Sequence, residues 1–299
     1  MTAAAVSIAM RPAPPSPCPG PGEDEALAPV ASVAVRRWQD GQSGEGVDWV
    51  CEEQPVSLEY NGISHAVMMA TPTALEDFAL GFSLTEGIVA ATTEILEMQL
   101  QRHEHGLCVA MRITARRESA LRERRRTLAG RTGCGLCGID SLAHFDQMPA
   151  PVGATQRIDA SVLAQAMQEM ERTQPLRELT GATHAAAWMA GDGSLHALRE
   201  DVGRHNALDK TVGALHHAAI DPSTGALLVT SRASYEMVQK AASAGVGVLA
   251  AVSAPTALAI RTAQALNLTL VAFARGQRHV VYSHAWRLQA SGLEQGACE

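Results

Sequence analysis

Lysine is nearly absent from this chain. Lys210 and Lys240 are the only two, so the basic charge is almost all arginine. Arginine suits bidentate phosphate contacts better than lysine does, which leaves a local anion site open. An overall basic surface is lacking: the formal net charge is −7, which argues against general nucleic-acid binding. Aromatics are scarce at 4%. A core must therefore be built mainly from Ala, Val, Leu, Ile and Met, for which an apolar fraction of 46% is ample. No apolar run approaches the ~20 residues that a membrane span requires. Residues 1–29, rich in Ala, Pro and Gly, lack the basic start and long apolar stretch of a secretory signal and read as a disordered tail. The six cysteines have no regular framework spacing, which points to a reducing compartment, most simply the cytoplasm.

Against these absences stands one dense stretch, Arg131-Thr132-Gly133-Cys134-Gly135-Leu136-Cys137-Gly138. Two thiols lie three positions apart between glycines, after a run of arginines from Arg112 to Arg131. Only the thiolate attacks electrophiles, and nearby guanidinium charge lowers a thiol's pKa. The glycines favour a loop that can bend. Four readings compete. Half of a zinc site needs a second half, and Cys18, Cys51, Cys108 and Cys298 form no second CxxC, which leaves a composite site. A thioredoxin-like motif belongs near the start of a compact βαβ unit, whereas this one is mid-chain. Two cysteines that merely pack fit poorly with a glycine-rich loop. The fourth reading is a thiolate that carries a covalent cargo, with sulfur the natural one.

Along the chain, Ala31–Trp38, Asp48–Cys51, Val56–Tyr60 and Ile63–Met69 read as strands, the last two joined by the hairpin signal Asn61-Gly62. Thr73 and Glu76 have capping-box spacing at the start of a helix striped by Leu75, Phe78, Ala79 and Phe82 and stopped by Gly87. Thr93–His103 and Leu107–Ile113 read as strands, and Arg116–Arg126 as a helix or a solvated charged face. The spacing predicts a strand-rich α+β part over 30–129, a linker with the dithiol over 130–153, and an α/β domain over 154–299. In the last, strands and helices alternate: helix Ala160–Glu171, strands His184–Met189 and Ser194–Leu198, helix Asn206–His217, strand Ala226–Thr230, helix Tyr235–Ala242, strand Val246–Val252, helix Thr256–Ala265 and strand Leu268–Phe273. That rhythm predicts parallel strands.

Ligands bind outside the carboxyl ends of such strands. Three ends carry suitable chemistry: Thr230-Ser231-Arg232-Ala233-Ser234; Ser253-Ala254-Pro255-Thr256, with Pro255 expected in the first helical turn; and Phe273-Ala274-Arg275-Gly276-Gln277-Arg278. Ser231, Arg232, Arg275 and Arg278 are expected to share one phosphate or nucleotide pocket with the Ser253–Thr256 turn. The densest polar cluster, Arg199-Glu200-Asp201-Val202-Gly203-Arg204-His205-Asn206-Ala207-Leu208-Asp209-Lys210, opens a helix on which His205 and Asp209 share a face. It reads either as an N-capped helix with surface charge pairs or as a site. His184, before three alanines, reads as a satisfied core histidine.

The segments TPTALEDFALGFSLTEGI, RTGCGLCG, TGATHAAA, REDVGRHNALDK, SRASYEMVQKA, SAPTALAI and FARGQR, in this order, resemble the formate dehydrogenase accessory sulfurtransferases, the FdhD family. The resemblance runs from about Pro29 to His284. It implies a sulfurtransferase that accepts sulfur from a cysteine desulfurase as a persulfide on Cys134, with Cys137 assisting. The sulfur then goes to the molybdenum cofactor, bis-molybdopterin guanine dinucleotide, before that cofactor enters formate dehydrogenase. Phe273, Ala274, Arg275, Gly276, Gln277 and Arg278 would contact the guanine-dinucleotide cofactor, beside Ser231 and Arg232. A homodimer is implied, with a carboxy-terminal domain similar to the three-layer cytidine deaminase fold, but no deaminase zinc ligands are evident and no metal is expected.

Overall fold

The computed structural model describes residues 27–129 and 148–290. Strands β1 (Val30–Gln39) and β2 (Gln42–Cys51) form an antiparallel ribbon. It is longer than the sequence reading of Asp48–Cys51 implied, because Asp40 and Gly41 take positive φ (50° and 79°) and close a two-residue hairpin. Strands β3 (Gln54–Tyr60) and β4 (Ile63–Ala70) meet at Asn61-Gly62, also at positive φ (50° and 77°), as expected.

Helix α1 (Leu75–Thr85) follows. The expected Thr73/Glu76 capping box does not form. The N-cap is Ala74 in the left-handed region, with no side-chain cap. Thr73 instead donates its backbone N–H to the Thr71 carbonyl, a tight turn that places it outside the helix. Strands β5 (Ile95–His103) and β6 (Gly106–Ile113) complete a four-stranded sheet of order β4-β3-β6-β5, with β3 and β6 parallel. Helix α2 (Ala115–Ala129) settles the arginine-rich segment as helical. Val56, Leu58, Tyr60, Phe78, Phe82, Val109 and Met111 bury one sheet face against α1. Tyr60 and Ser83 hydroxyls hydrogen-bond within that core at 2.8 Å.

After β7 (Ile158–Asp159), helix α3 (Ala160–Arg172) is capped by Asp159, whose carboxylate accepts from Ser161 and Val162 N–H. Short α4 (Pro175–Thr180), with Pro175 at its start, leads to β8 (His184–Met189), β9 (Leu195–Asp201), α5 (Arg204–His217), β10 (Ala226–Val229), α6 (Tyr235–Ser243), β11 (Val248–Ala251), α7 (Ala257–Ala265), β12 (Thr269–Arg275), β13 (Arg278–Val281) and β14 (Leu288–Gln289). β14 and β7 pair as a two-residue parallel ladder.

The large sheet has the order β13-β12-β11-β10-β8-β9. It is mixed, not wholly parallel as the alternation suggested. Only β10, β11 and β12 run parallel to one another, while β8 is antiparallel to β10 and β9, and β13 to β12. The cause is loop length. α6 and α7 supply the crossovers that parallel neighbours need, whereas the short turns at Gly191–Gly193 and Gly276-Gln277 can only fold back. Strand residues alternate between two buried faces. Leu227, Val229, Leu249, Ala251 and Leu270 face α5, α6 and α7; Ala226, Leu228, Val248, Ala250 and Val271 face α3. The result is a three-layer α/β/α stack. α1 joins the halves by lying on α5 with almost no side chain between them. A Cβ at Gly81 would collide with the Asp209 carbonyl, and one at Gly213 with the Asp77 carbonyl. No helix among the described residues is long and apolar enough to cross a membrane.

Candidate functional site

The strand directions bring the carboxyl ends of β9, β10, β11 and β12 and the amino end of β8 to one sheet edge. At the β11/β12 end lies a cleft of ≈ 710 Å³ lined by Ser253, Phe273, Arg275, Gln277, Arg278, His279 and Val280. A bulge between Ala272 and Arg275, with Phe273 at φ 52°, turns the Phe273 ring outward, where it is 46% exposed. Gly276 at φ 55° makes the turn into β13. Arg275 donates its Nε to the Val252 carbonyl at 3.2 Å, which aims the guanidinium across the end of β11. Arg275 and Arg278 are both exposed. An outward aromatic beside two arginines is suited to stack a planar base and hold phosphate oxygens.

Of the anticipated pocket residues, Phe273, Arg275, Gln277 and Arg278 line this cleft with Ser253. Ala274 points back into the core at 5% exposure. Ser231 is buried and donates its hydroxyl to the Arg232 carbonyl at 3.0 Å; Arg232 is exposed, and neither borders the cleft. Pro255 precedes the helix instead of entering its first turn. It bridges to Ala233, and Thr256 is the N-cap, its hydroxyl accepting from Ala259 N–H at 3.2 Å. His279 and Val280 were missed because β13 was not read, although Gly276-Gln277 followed by Val280 and Val281 is a hairpin signal. Cys134 and Cys137 lie outside the described residues. Among those residues no group of three or more His, Cys, Asp or Glu could hold a metal.

Only His205, paired with the half-exposed Glu236, fits the surface charge pairs expected of the REDVGRHNALDK segment. Glu200, Asp201, Asp209 and Lys210 are buried, Arg199, Arg204 and His205 only partly so, and Asp201, Asp209, Lys210 and Arg199 bind the two halves together. Lys210 Nζ lies 2.6 Å from Asp201 Oδ2, both side chains fully buried, and donates to the Thr71 carbonyl at 2.9 Å. Asp201 also accepts from Thr71 N–H (3.0 Å), Gly203 N–H (2.7 Å) and Asn206 Nδ2 (3.0 Å). Burial depresses the Lys210 pKa, with Asp201 opposing. The Cys51 thiol sits 3.5 Å from Thr71 Oγ1 and is pushed up by burial, so it is a poor nucleophile. His205 and Asp209 diverge: Asp209 is buried against Lys240 (2.9 Å), while His205 Nε2 lies 3.2 Å from Glu236 Oε2. Lys240 also meets Glu86 Oε1 (2.7 Å) and Thr85 Oγ1 (3.0 Å). Burial opposes its charge, but Asp209 and Glu86 outweigh it and raise its pKa. His184 is half-buried at the sheet edge, not a core residue.

The FdhD/NarQ family profile matches residues 51–289. The chain belongs to the FdhD/NarQ family. It is 54% identical over 259 residues to a protein of Cupriavidus necator named sulfur carrier protein FdhD, spanning 87% of this chain and 90% of that protein. A protein of the same name from Bordetella petrii is 50% identical over 261 residues, 87% and 94% of the two chains. The fold is that of a solved structure from Desulfotalea psychrophila described as a formate dehydrogenase accessory protein, with a TM-score of 0.69 and 22% identity over 88% of this chain and all of that one. The FdhD/NarQ match spans the four-stranded and six-stranded sheets, from the end of β2 to β14, and so includes the strand-end cleft and the buried lysine network.

Proposed function

We propose that this protein is a sulfur carrier for formate dehydrogenase maturation. It would act as a sulfurtransferase between a cysteine desulfurase and bis-molybdopterin guanine dinucleotide. The reading rests above all on the 54% identity to a named sulfur carrier. The cleft supplies compatible chemistry, with Phe273 for a guanine ring and Arg275 and Arg278 for phosphates. In the loading step the Cys134 thiolate attacks the outer sulfur of the donor's persulfide. That S–S bond breaks, a new one forms on Cys134, and the donor leaves as thiolate, so no oxidant or reductant is consumed. Cys137 then either attacks the persulfide, releasing HS⁻ and leaving a Cys134–Cys137 disulfide for a cellular thiol to reduce, or tunes the Cys134 pKa. A cytoplasmic homodimer is the assembly this reading carries.

Mass spectrometry after incubation with a desulfurase and cysteine tests it. The expected result is one added sulfur atom on Cys134, absent in Cys134→Ala, with guanine-nucleotide binding intact in that variant because the dithiol and the strand-end cleft belong to different segments of the chain. A Cys134→Ala protein that still supports full formate dehydrogenase activity in cells would overturn the assignment.

A further inference from the structure

A second concentration of cations lies on the same sheet edge, away from the cleft. His184 opens β8 and pairs in register with Asp201, the last residue of β9. Gly203 is the N-cap of α5 and no side chain caps its first turn, so free N–H groups add positive potential there. Arg204 and His205 are the first two residues of that helix. Arg177 comes from α4, which Glu200 holds by accepting from Leu176 N–H (2.9 Å) and Arg177 N–H (2.8 Å). The carboxylates here are committed elsewhere. Asp201 is bound by Lys210, Glu200 also accepts from the Thr183 hydroxyl (2.9 Å), and Glu236 is held by His205 and the Ser234 hydroxyl (3.1 Å).

Among the described residues Arg204 and Arg177 form no ion pair within 4 Å, and Arg204 Nε is shut off from solvent without an acceptor. A sequestered guanidinium nitrogen left unbonded is costly. An arrangement that keeps one beside a second unpaired arginine, a histidine and an uncapped helix start favours an incoming anion.

We propose that Arg204, Arg177, His184 and the amino terminus of α5 form a binding site for a phosphate-class oxyanion, which nothing in the sulfur-carrier reading requires. Three strand spacings, about 14 Å, separate β8 from β12, so this site is distinct from the Phe273–Arg278 cleft. His184 is its natural reporter. Burial, and then Arg204, Arg177 and His205, hold its pKa below the ordinary histidine value, opposed by Asp201; Glu236 faces it only across His205. An anion that neutralises the arginines raises that pKa, so binding takes up a proton and tightens as the pH falls toward 6.

The test is a histidine NMR titration of the full chain in sulfate, whose charge is constant over this range, against chloride of equal ionic strength. Sulfate, not chloride, should raise the His184 pKa. Arg204→Gln should weaken sulfate binding at least tenfold. Arg177→Gln, on an exposed residue, should do the same in part should the first variant unfold. Arg261→Ala, exposed on α7, should change nothing. A parallel titration with guanosine diphosphate identifies the source of the anion. A His184 response in the native chain that disappears in Arg275→Ala means the phosphate belongs to a ligand anchored in the cleft. A response to sulfate alone means a free anion. Equal shifts in sulfate and chloride, no shift in either, or a sulfate response unchanged in both arginine variants would overturn the site. The sulfate and chloride results do not depend on whether the cleft binds guanine.

Discussion

The two lysines and the two cleft arginines handle charge in opposite ways. Lys210 and Lys240 are buried, each meeting a carboxylate within 3 Å and further oxygens around the ammonium. Arg275 and Arg278 are exposed and border an open cleft. The lysine partners come from both halves: Thr71, Thr85 and Glu86 from the amino-terminal half, Asp201 and Asp209 from the other. The compact ammonium can be surrounded on several sides and so serves as a tie between the halves. The flat guanidinium presents its donors in one plane and suits a ligand that comes and goes. Among these four residues the lysines hold and the arginines offer; Arg199, paired with Asp77 of α1 at 2.7 Å, is an arginine that holds.

Three substitutions probe that division. Lys240→Met should have the largest effect, because Asp209 would be left buried, and Glu86 half-buried, without their cation. A loss of about 3–5 kcal/mol in urea unfolding is expected, the scale of breaking a buried pair from one side. A loss below ~1 kcal/mol would show that the tie carries little. Arg275→Ala should reverse the pattern. Stability should stay within about 0.5 kcal/mol, as for an exposed surface change, while calorimetry shows guanine-nucleotide affinity falling by ~1.5–3 kcal/mol, the scale of a charge-assisted bond. Adenine nucleotides should bind more weakly than guanine ones throughout, since polar groups matched to one base stay unpaired with the other. Equal affinities for both bases would remove the base-specific reading.

The smallest effect belongs to Glu236, intermediate between the two kinds. Its hydrogen bond from His205 and that residue's charge bring its pKa down to about 2, from 4.5 in the unfolded chain. A depressed carboxylate stabilises the fold fully above the unfolded value and loses that contribution as the pH falls through the folded one. Glu236→Gln should therefore lower the melting temperature at pH 6, with the difference from the native chain vanishing between pH 4.5 and 2. Its side chain is 47% exposed, so solvent screening keeps the effect below about 1 kcal/mol. A gap that widens toward acid would contradict the sign.

Local chemistry was the part of the fold most legible in the sequence. Asn61-Gly62 gave its hairpin because the turn demands positive φ from both residues, and most strands and helices fell within a few residues of their expected bounds. Strand direction was less legible, since alternation of elements does not distinguish a crossover from the short return between β8 and β9. The charged segment was hardest. Nothing local to Asp201, Asp209 and Lys210 says that they are buried; their partners Thr71, Thr85, Glu86 and Lys240 are distant in the chain. At the site, Phe273, Arg275, Gln277 and Arg278 were legible as a strand end, but the sequence could not show that Ser231 turns its hydroxyl inward and stands apart from them.

The scarcity of lysine, combined with its burial, also gives the native protein a chemical signature. Lys210 and Lys240 are the chain's whole stock of ε-amines, and their side chains are 0% and 8% exposed. Acyl donors that modify lysine in most folded proteins have no ready target here while the halves stay together. Acylation of either ε-amine would thus report that the fold had opened.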